Sequence, residues 1–173
     1  MPASLSLERS IQKGRAVYKA AVRHTIRRTI DALNRGDYEP ALKMFTVDAT
    51  LTFPGRNSWS RQHREPEGGC EQHPTHRGRA EIETFLRQYV DHGIQMAVDD
   101  ILVNGPPWNT RVAARVHDWI DTPSGERVYA NRAVLFARAR WGRLVEQEDY
   151  EDTARVVEYE ALVDARGGGV LSR

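Results

Sequence analysis

Apolar and polar residues alternate along residues 128–150, and this alternation predicts a β-hairpin with one buried face. The segment is VYANRAVLFARARWGRLVEQEDY, and the Trp-Gly pair at 141–142 predicts the turn between its two strands. The odd-numbered residues of the first strand share a face that is apolar except for Asn131 and the hydroxyl of Tyr129. We therefore expect this face to line the interior and the arginine-bearing face to point outward.

The second strand of this hairpin carries acidic residues on both faces. Glu146, Glu148 and Tyr150 share one face, and Val145, Gln147 and Asp149 share the other. The glutamate pair suits solvent, so Asp149 and Gln147 are predicted to point toward the apolar interior. Because an unpaired buried carboxylate is costly, Asp149 is expected to serve either a structural hydrogen bond or chemistry.

The remaining periodicity predicts helices first and strands afterwards. A helix is expected over residues 8–34, unless Gly14 breaks it, with an apolar stripe formed by Val22, Ile26, Ile30 and Leu33. The other predicted elements are a helix over 38–45, a strand over 49–53, and strands over 95–103 and 110–120. A further helix is predicted around an apolar face formed by Ile82, Phe85, Leu86 and Tyr89. Residues 153–163 suit either a short helix or an added strand. This order predicts an α+β fold, whose curved antiparallel sheet leaves a hollow for a ligand beside the long helix.

Asp118 is the charged residue on an otherwise apolar face of the predicted strand over 110–120. Alternation places it in the same hollow as Asp149, where two carboxyl groups would raise each other's pKa and act as acid and base. The alternative is that each caps the backbone or pairs with an arginine. A slip of register by one residue would instead turn His117 and Arg115 inward.

A single domain is predicted over residues 14–163, with a flexible or helical extension over 1–13 and a disordered tail over 164–173. Residues 54–77 form a polar insertion rich in glycine and proline, which is typical of a functional lid or a disordered loop. Trp59 within it is a candidate to close over the pocket. No metal is predicted, because the possible ligands match no structural zinc spacing; they are His63, Cys70, His73 and His76.

Composition narrows the classes of function. The net charge of +1 gives no general attraction to nucleic acid, and no apolar run approaches the ~18 residues of a membrane helix. The N-terminal sequence lacks the apolar core of a signal peptide, and Cys70 is the only cysteine, so a cytoplasmic location without an internal disulfide is expected. No cofactor is predicted, since the sequence has neither a glycine-rich dinucleotide loop nor a P-loop.

Three segments are distinctive enough to compare with known families. They are DALNRGDYEPALKMFTVDATLTFPG at 31–55, HRGRAEIETFL at 76–86, and EDYED at 148–152 at the end of the hairpin. These segments resemble the NTF2-like superfamily, in particular its SnoaL-like branch, and the resemblance implies a cone-shaped α+β barrel and a homodimer. Members include steroid isomerases, polyketide cyclases, limonene epoxide hydrolase, dehydratases and non-catalytic binding modules, so fold alone does not fix the function.

Individual members of that superfamily imply different chemistries. Steroid isomerases have a tyrosine on the first helix where this chain has Thr29 and a catalytic aspartate where it has Phe53, which argues against a steroid isomerase. The resemblance to limonene epoxide hydrolase places its two aspartates on Asp149 and Asp118, but its arginine would fall on Val116. Polyketide cyclases also place an acid–base aspartate near Asp149.

Together these features predict an enzyme that uses acid–base chemistry on a small, largely apolar, polyketide- or terpenoid-like molecule, as an isomerase, cyclase, dehydratase or epoxide hydrolase. The predicted catalytic residues are Asp149 and Asp118, and the predicted substrate-binding residues are Asn131, Tyr129, Gln147, Trp59 and Phe53. The alternative is a non-catalytic ligand-binding or protein-assembly module. Aromatic and arginine side chains on the outward sheet face predict a homodimer.

Overall fold

The computed structural model of the chain describes residues 3–54 and 75–166. Its elements are α1 (Ala3–Asn34), α2 (Glu39–Met44), β1 (Phe45–Thr52), β2 (Thr75–Arg77), α3 (Gly78–Asp91), β3 (Gln95–Asn104), β4 (Thr110–Asp121), β5 (Arg127–Arg140), β6 (Arg143–Glu151) and α4 (Thr153–Ala165). Every helix and strand expected from the periodicity is present, and the segment that suited either a helix or a strand is helical.

The strands form one six-stranded sheet in the order β2-β1-β6-β5-β4-β3. Neighbouring strands are antiparallel except for β1 and β6, which run parallel. The sheet is curved and open, and the α+β prediction is confirmed. The sheet is antiparallel as predicted except at this one parallel pair, which the long connection between β1 and β6 allows.

Alternation along β4 and β5 decides which side chains reach the concave face of the sheet. The even-numbered residues of β4 and most odd-numbered residues of β5 are buried, while their neighbours are largely exposed. In the register of the two strands, Asp118 lies opposite Asn131 and Ala114 lies opposite Leu135. The slip of register that would turn His117 inward does not occur.

The turn between β5 and β6 is built by Trp141 and Gly142. Both residues have positive φ angles, 52° and 77°. Two-residue hairpin turns need this backbone to follow the twist of the strands, and glycine adopts it without steric strain. The predicted hairpin turn is therefore confirmed at this position.

A β-bulge follows the turn on β6. Arg138 lies opposite Glu146, but Ala139 lies opposite Leu144, so Val145 is the extra residue. Leu144 is consequently turned inward and buried. The bulge thus adds Leu144 to the inner face, and the predicted inward orientation of Gln147 and Asp149 is unchanged.

Helix α1 lies along β3 and presents its apolar stripe to the concave face of the sheet. Arg23 donates a hydrogen bond from Nε to the carbonyl oxygen of Ile101 at 3.0 Å. At the other end of the helix, the Asn34 side chain donates to the Met96 carbonyl at 2.8 Å and accepts from its N–H at 2.9 Å. The helix passes through Gly14 without a break.

Two predicted boundaries need correction. Residues 75–77 pair with β1 as strand β2, although they belong to the range assigned to the loop insertion. Residues 164–165 end helix α4, although they were assigned to a disordered tail. The Asp152 carboxylate accepts a hydrogen bond from the Ala154 N–H at 3.1 Å and so caps this helix. Among the described helices, none combines the length and the apolarity needed to cross a membrane.

Candidate active site

A cavity of about 320 Å³ lies between α1, α3 and the concave face of the sheet. Its wall is mainly apolar, and the space exists because four inward positions of β4 and β5 carry only a methyl group: Ala114, Ala133, Ala137 and Ala139. Small-molecule sites of proteins have roughly this volume or more. The cavity is therefore large enough for the kind of ligand that the sequence predicts.

Asp149 of β6 stands in the wall of this cavity and is 9% exposed. Its two carboxyl oxygens accept hydrogen bonds from Nε2 of Gln147 at 2.8 and 3.1 Å. Burial raises the pKa of Asp149 to about 7; the hydrogen bond from Gln147 lowers it and the nearby Asp118 carboxyl raises it. A carboxyl group with a pKa near neutrality can take and return a proton at physiological pH.

Asp118 of β4 lines the same cavity and is 8% exposed. Its Oδ1 atom is buried and has no hydrogen-bond partner among the residues that the structure describes. Burial raises the pKa of Asp118 to about 6, although a backbone hydrogen bond and His117 lower it. The His117 side chain points outward, with Nδ1 2.9 Å from Oδ1 of Asp99. The alternation of side chains along β4 thus places the Asp118 carboxyl group in the same cavity as that of Asp149.

Glu151 is a third carboxyl group of the cavity, and sequence reasoning missed it. Burial raises the pKa of Glu151 to about 8, and Asp118 and then Asp149 add to the shift. Glu151 lies opposite Ala133, in the row of the sheet between the rows of the two aspartates. A signal was available, because the alternation that turns Asp149 inward also reaches residue 151, but the predicted strand stopped at 150.

Tyr89 of α3 brings a hydroxyl group to the same cavity. Its Oη atom is buried and has no hydrogen-bond partner within the described ranges. Burial and then the Asp118 carboxyl raise the pKa of Tyr89 well above its usual value, so the hydroxyl keeps its proton and remains a donor. The sequence indicated this residue only as part of the apolar face of a helix.

Tyr129 and Asn131, which were predicted to bind substrate, are not in the wall of this cavity. The Asn131 side-chain amide donates to the Tyr129 hydroxyl and to the Asp152 carbonyl, both at 3.0 Å. Tyr129 packs against Tyr159 of α4, with ring centroids 5.3 Å apart. Both residues face inward as alternation predicts, but helix α4 covers this end of β5, and the Asn131 amide bonds to Tyr129 and to the residue that precedes the helix.

The remaining predicted substrate-binding residues are Phe53, Gln147 and Trp59. Phe53 and Gln147 line the cavity, whereas Trp59 lies outside the described residues. The Phe53 ring packs against Phe85 and His76, with centroid distances of 4.9 and 5.8 Å. His63, Cys70 and His73 also lie outside the described residues. Within 3–54 and 75–166, no group of three or more possible ligands is arranged to hold a metal ion.

Three solved structures share this fold. They are a loop-truncation variant of IdmH (23% identity, TM-score 0.57, 79% of this chain and 96% of that chain), an NTF2-like protein from Mesorhizobium loti (18%, 0.51, 76% and 90%) and a proposed polyketide cyclase from Xanthomonas campestris pv. campestris (20%, 0.50, 78% and 96%). At these identities the likeness shows the fold alone.

Sequence comparison gives the family. A search of curated proteins found no match to this chain. The family model for the SnoaL-like domain matches residues 26–147, which include α3, the strands β3 to β5 and the start of β6. Because this match spans more than half of the chain, the protein belongs to the SnoaL-like domain family.

Proposed function

We propose that the protein is an enzyme that moves protons on a small, largely apolar molecule, with Asp149 as the base. The placement of Asp149 carries this proposal: a buried carboxyl group with a pKa of about 7 stands in the wall of an apolar cavity. Bases work best when their pKa lies near the working pH. Membership of the SnoaL-like family supports this general class. Isomerisation or cyclisation of a polyketide- or terpenoid-like compound is the reaction that such a base fits best.

Glu151 supplies the acid, because its pKa is the highest of the three carboxyl groups. Three neighbouring carboxyl groups in a buried site do not all ionise together, because like charges repel and burial opposes each charge. Near pH 7, Asp149 is partly ionised while Glu151, with a pKa of about 8, keeps its proton. The cavity therefore holds a base and an acid together, with Asp118 as a further member of the group.

Deuterium exchange tests the proposal without knowledge of the natural substrate. The protein is incubated in D2O with 1-tetralone, an apolar ketone, and deuterium uptake at the carbon next to the carbonyl is followed by mass spectrometry. Asp149→Asn keeps the shape but removes the proton acceptor, so the catalysed rate should fall by about two to four orders of magnitude. Glu148→Gln, a matched change on the outward face of the same strand, should leave the rate unchanged.

Two outcomes would contradict this function. Equal exchange rates for the wild type and Asp149→Asn would show that Asp149 is not the base. Binding of 1-tetralone without exchange above the buffer rate would indicate the non-catalytic binding module instead. Melting temperatures of both variants, measured on the same samples, separate a loss of chemistry from a loss of folding.

We also propose that the outward face of β5 and β6 forms a homodimer interface. Val134, Phe136 and Tyr150 are 40%, 41% and 50% exposed, and Val134 lies opposite Tyr150 in the sheet. Adjacent exposed apolar side chains of this kind mark interaction surfaces. Sedimentation at micromolar concentration should show a dimer for the wild type and a monomer for Phe136→Glu. A monomeric wild type would contradict the proposal.

A further inference from the structure

We propose that the Tyr89 hydroxyl is a catalytic hydrogen-bond donor, and that the substrate presents a neutral oxygen atom to it, as a ketone does. This proposal rests on the proposed function and names the substrate class of the same site. Tyr89 lines the cavity, and its hydroxyl oxygen is buried without a hydrogen-bond partner among the described residues. Asp149 lines the same cavity, so the donor and the base face one ligand.

The unpaired state of the Tyr89 hydroxyl needs an explanation, because burying a polar group without a hydrogen bond destabilises the folded state. Tyr18, another tyrosine in the cavity wall, has no such cost, since its hydroxyl lies 2.6 Å from Oγ1 of Thr110. The ring of Tyr89 already packs against Phe85, with centroids 6.2 Å apart, and this packing does not need the hydroxyl. A ligand oxygen supplies the missing acceptor.

The expected reaction step transfers one proton from the substrate to Asp149 and back. The Asp149 carboxylate takes a proton from the carbon next to the substrate carbonyl, and the C–H electron pair forms the C=C bond of an enolate. Negative charge arrives on the oxygen, where the O–H of Tyr89 donates its hydrogen bond and stabilises the charge. Asp149 then returns the proton to the same carbon or to another carbon of the conjugated system. The product is an isomer, or the starting ketone with an exchanged hydrogen.

The donor lies on a different helix from the one that the resemblance to steroid isomerases implies. There the corresponding position on the first helix is Thr29, which also lines the cavity. Its hydroxyl already donates to Sδ of Met44 at 3.2 Å. Of the two tyrosines in the described cavity wall, Tyr18 is already hydrogen-bonded and Tyr89 is not. The Tyr89 hydroxyl can therefore bond to a ligand.

The experiment compares a ketone with a hydrocarbon of the same shape. Binding of 1-tetralone and of tetralin is measured by titration calorimetry on the wild type, Tyr89→Phe and Tyr18→Phe. The wild type should prefer the ketone, and Tyr89→Phe should lose about three- to tenfold of that preference, which is the worth of one neutral hydrogen bond. Its affinity for tetralin and its melting temperature should not fall. Tyr18→Phe should keep the wild-type preference.

Three results would overturn the proposal: an unchanged ketone preference in Tyr89→Phe, an equal loss of affinity for both probes, or no binding of 1-tetralone to the wild type. A protonated carboxyl group can also donate to a ketone, so Glu151→Met, which removes the donor and keeps a side chain of similar length, tests Glu151 as the alternative donor. If that variant loses the preference and Tyr89→Phe keeps it, the donor is Glu151. The proposed function fails separately, through an exchange rate that does not depend on Asp149.

Discussion

Acidic residues on the two faces of the strands β4, β5 and β6 differ in their partners and in their burial. On the outward face they meet cations: Arg138 Nε lies 2.8 Å from Glu146 Oε2, and Arg127 Nε lies 2.6 Å from Asp121 Oδ1. On the inward face, the described wall of the cavity contains no lysine, arginine or histidine. The acidic residues of that wall are Asp118, Asp149 and Glu151.

This difference indicates that the acidic residues of the inward face lower the free energy of unfolding, whereas those of the outward face do not. Partly exposed ion pairs such as those of the outward face contribute little to the free energy of unfolding. Burial destabilises the folded chain when the carboxyl groups of the inward face are charged, and their pKa values rise in response. Such perturbed acids are typical of functional sites. We therefore expect changes on the inward face to alter pH dependence and ligand binding, and changes on the outward face to do neither.

The largest expected effect is a loss of stability as the pH rises. Aspartate and glutamate ordinarily lose their protons near pKa values of 3.8 and 4.5, but in the folded chain Asp118, Asp149 and Glu151 keep them up to about 6, 7 and 8. Between these values the folded state binds more protons than the unfolded state. The free energy of unfolding should therefore fall, by up to about 1.4 kcal/mol per pH unit for each group.

Urea unfolding at a series of pH values between about 4 and 9 measures this slope. Asp149→Asn removes one titrating group, so the variant should be more stable than the wild type near pH 8 and almost unchanged near pH 4. Glu148→Gln on the outward face is the control and should keep the wild-type slope. A wild type whose stability rises across this interval would show that the inward carboxyl groups are paired in solution.

A smaller effect is expected from filling the cavity. Ala137→Leu adds apolar carbon atoms at an inward position of β5, where the cavity offers space. Stability should rise by about 1–2 kcal/mol, since each buried methylene contributes roughly 0.8 kcal/mol. Affinity for 1-tetralone should be lost. Ala130→Leu, at an exposed position on the outward face of the same strand, should change neither stability nor affinity. Tight binding of 1-tetralone to Ala137→Leu would show that the ketone binds outside this cavity.

Much of this site could be predicted from alternation alone. A period of two residues correctly turned Asp118 and Asp149 inward, because strands leave a side chain few other choices. Glu151 was missed because the predicted strand ended one residue too early. The true end of β6 is set by Asp152, which caps the next helix, and a single capping residue is a weak signal in a sequence. The resemblance to a known superfamily, not the periodicity, indicated the type of barrel.

Other features depend on contacts between elements that are distant in sequence. Alternation correctly predicted that Asn131 faces inward, but α4 covers that end of the sheet, and residues 153–163 suited a helix and a strand equally. The unpaired hydroxyl of Tyr89 could not be predicted, since pairing depends on every neighbour in the folded chain. The helical spacing that identified Tyr89 as a core residue says nothing about its oxygen atom.

The smallest effect is expected on the outward face, at the pair formed by Arg138 and Glu146, whose side chains are 31% and 41% exposed. A double-mutant cycle with Arg138→Gln and Glu146→Gln should give a coupling energy of roughly 0.2–1 kcal/mol, because water screens partly exposed charges. The coupling should shrink further in about 1 M salt, where screening is stronger. Neither variant should change the pH slope of stability or the exchange of 1-tetralone. A coupling of several kcal/mol would mean that the proposed dimer interface at Val134, Phe136 and Tyr150 also covers this pair, instead of leaving it open to water.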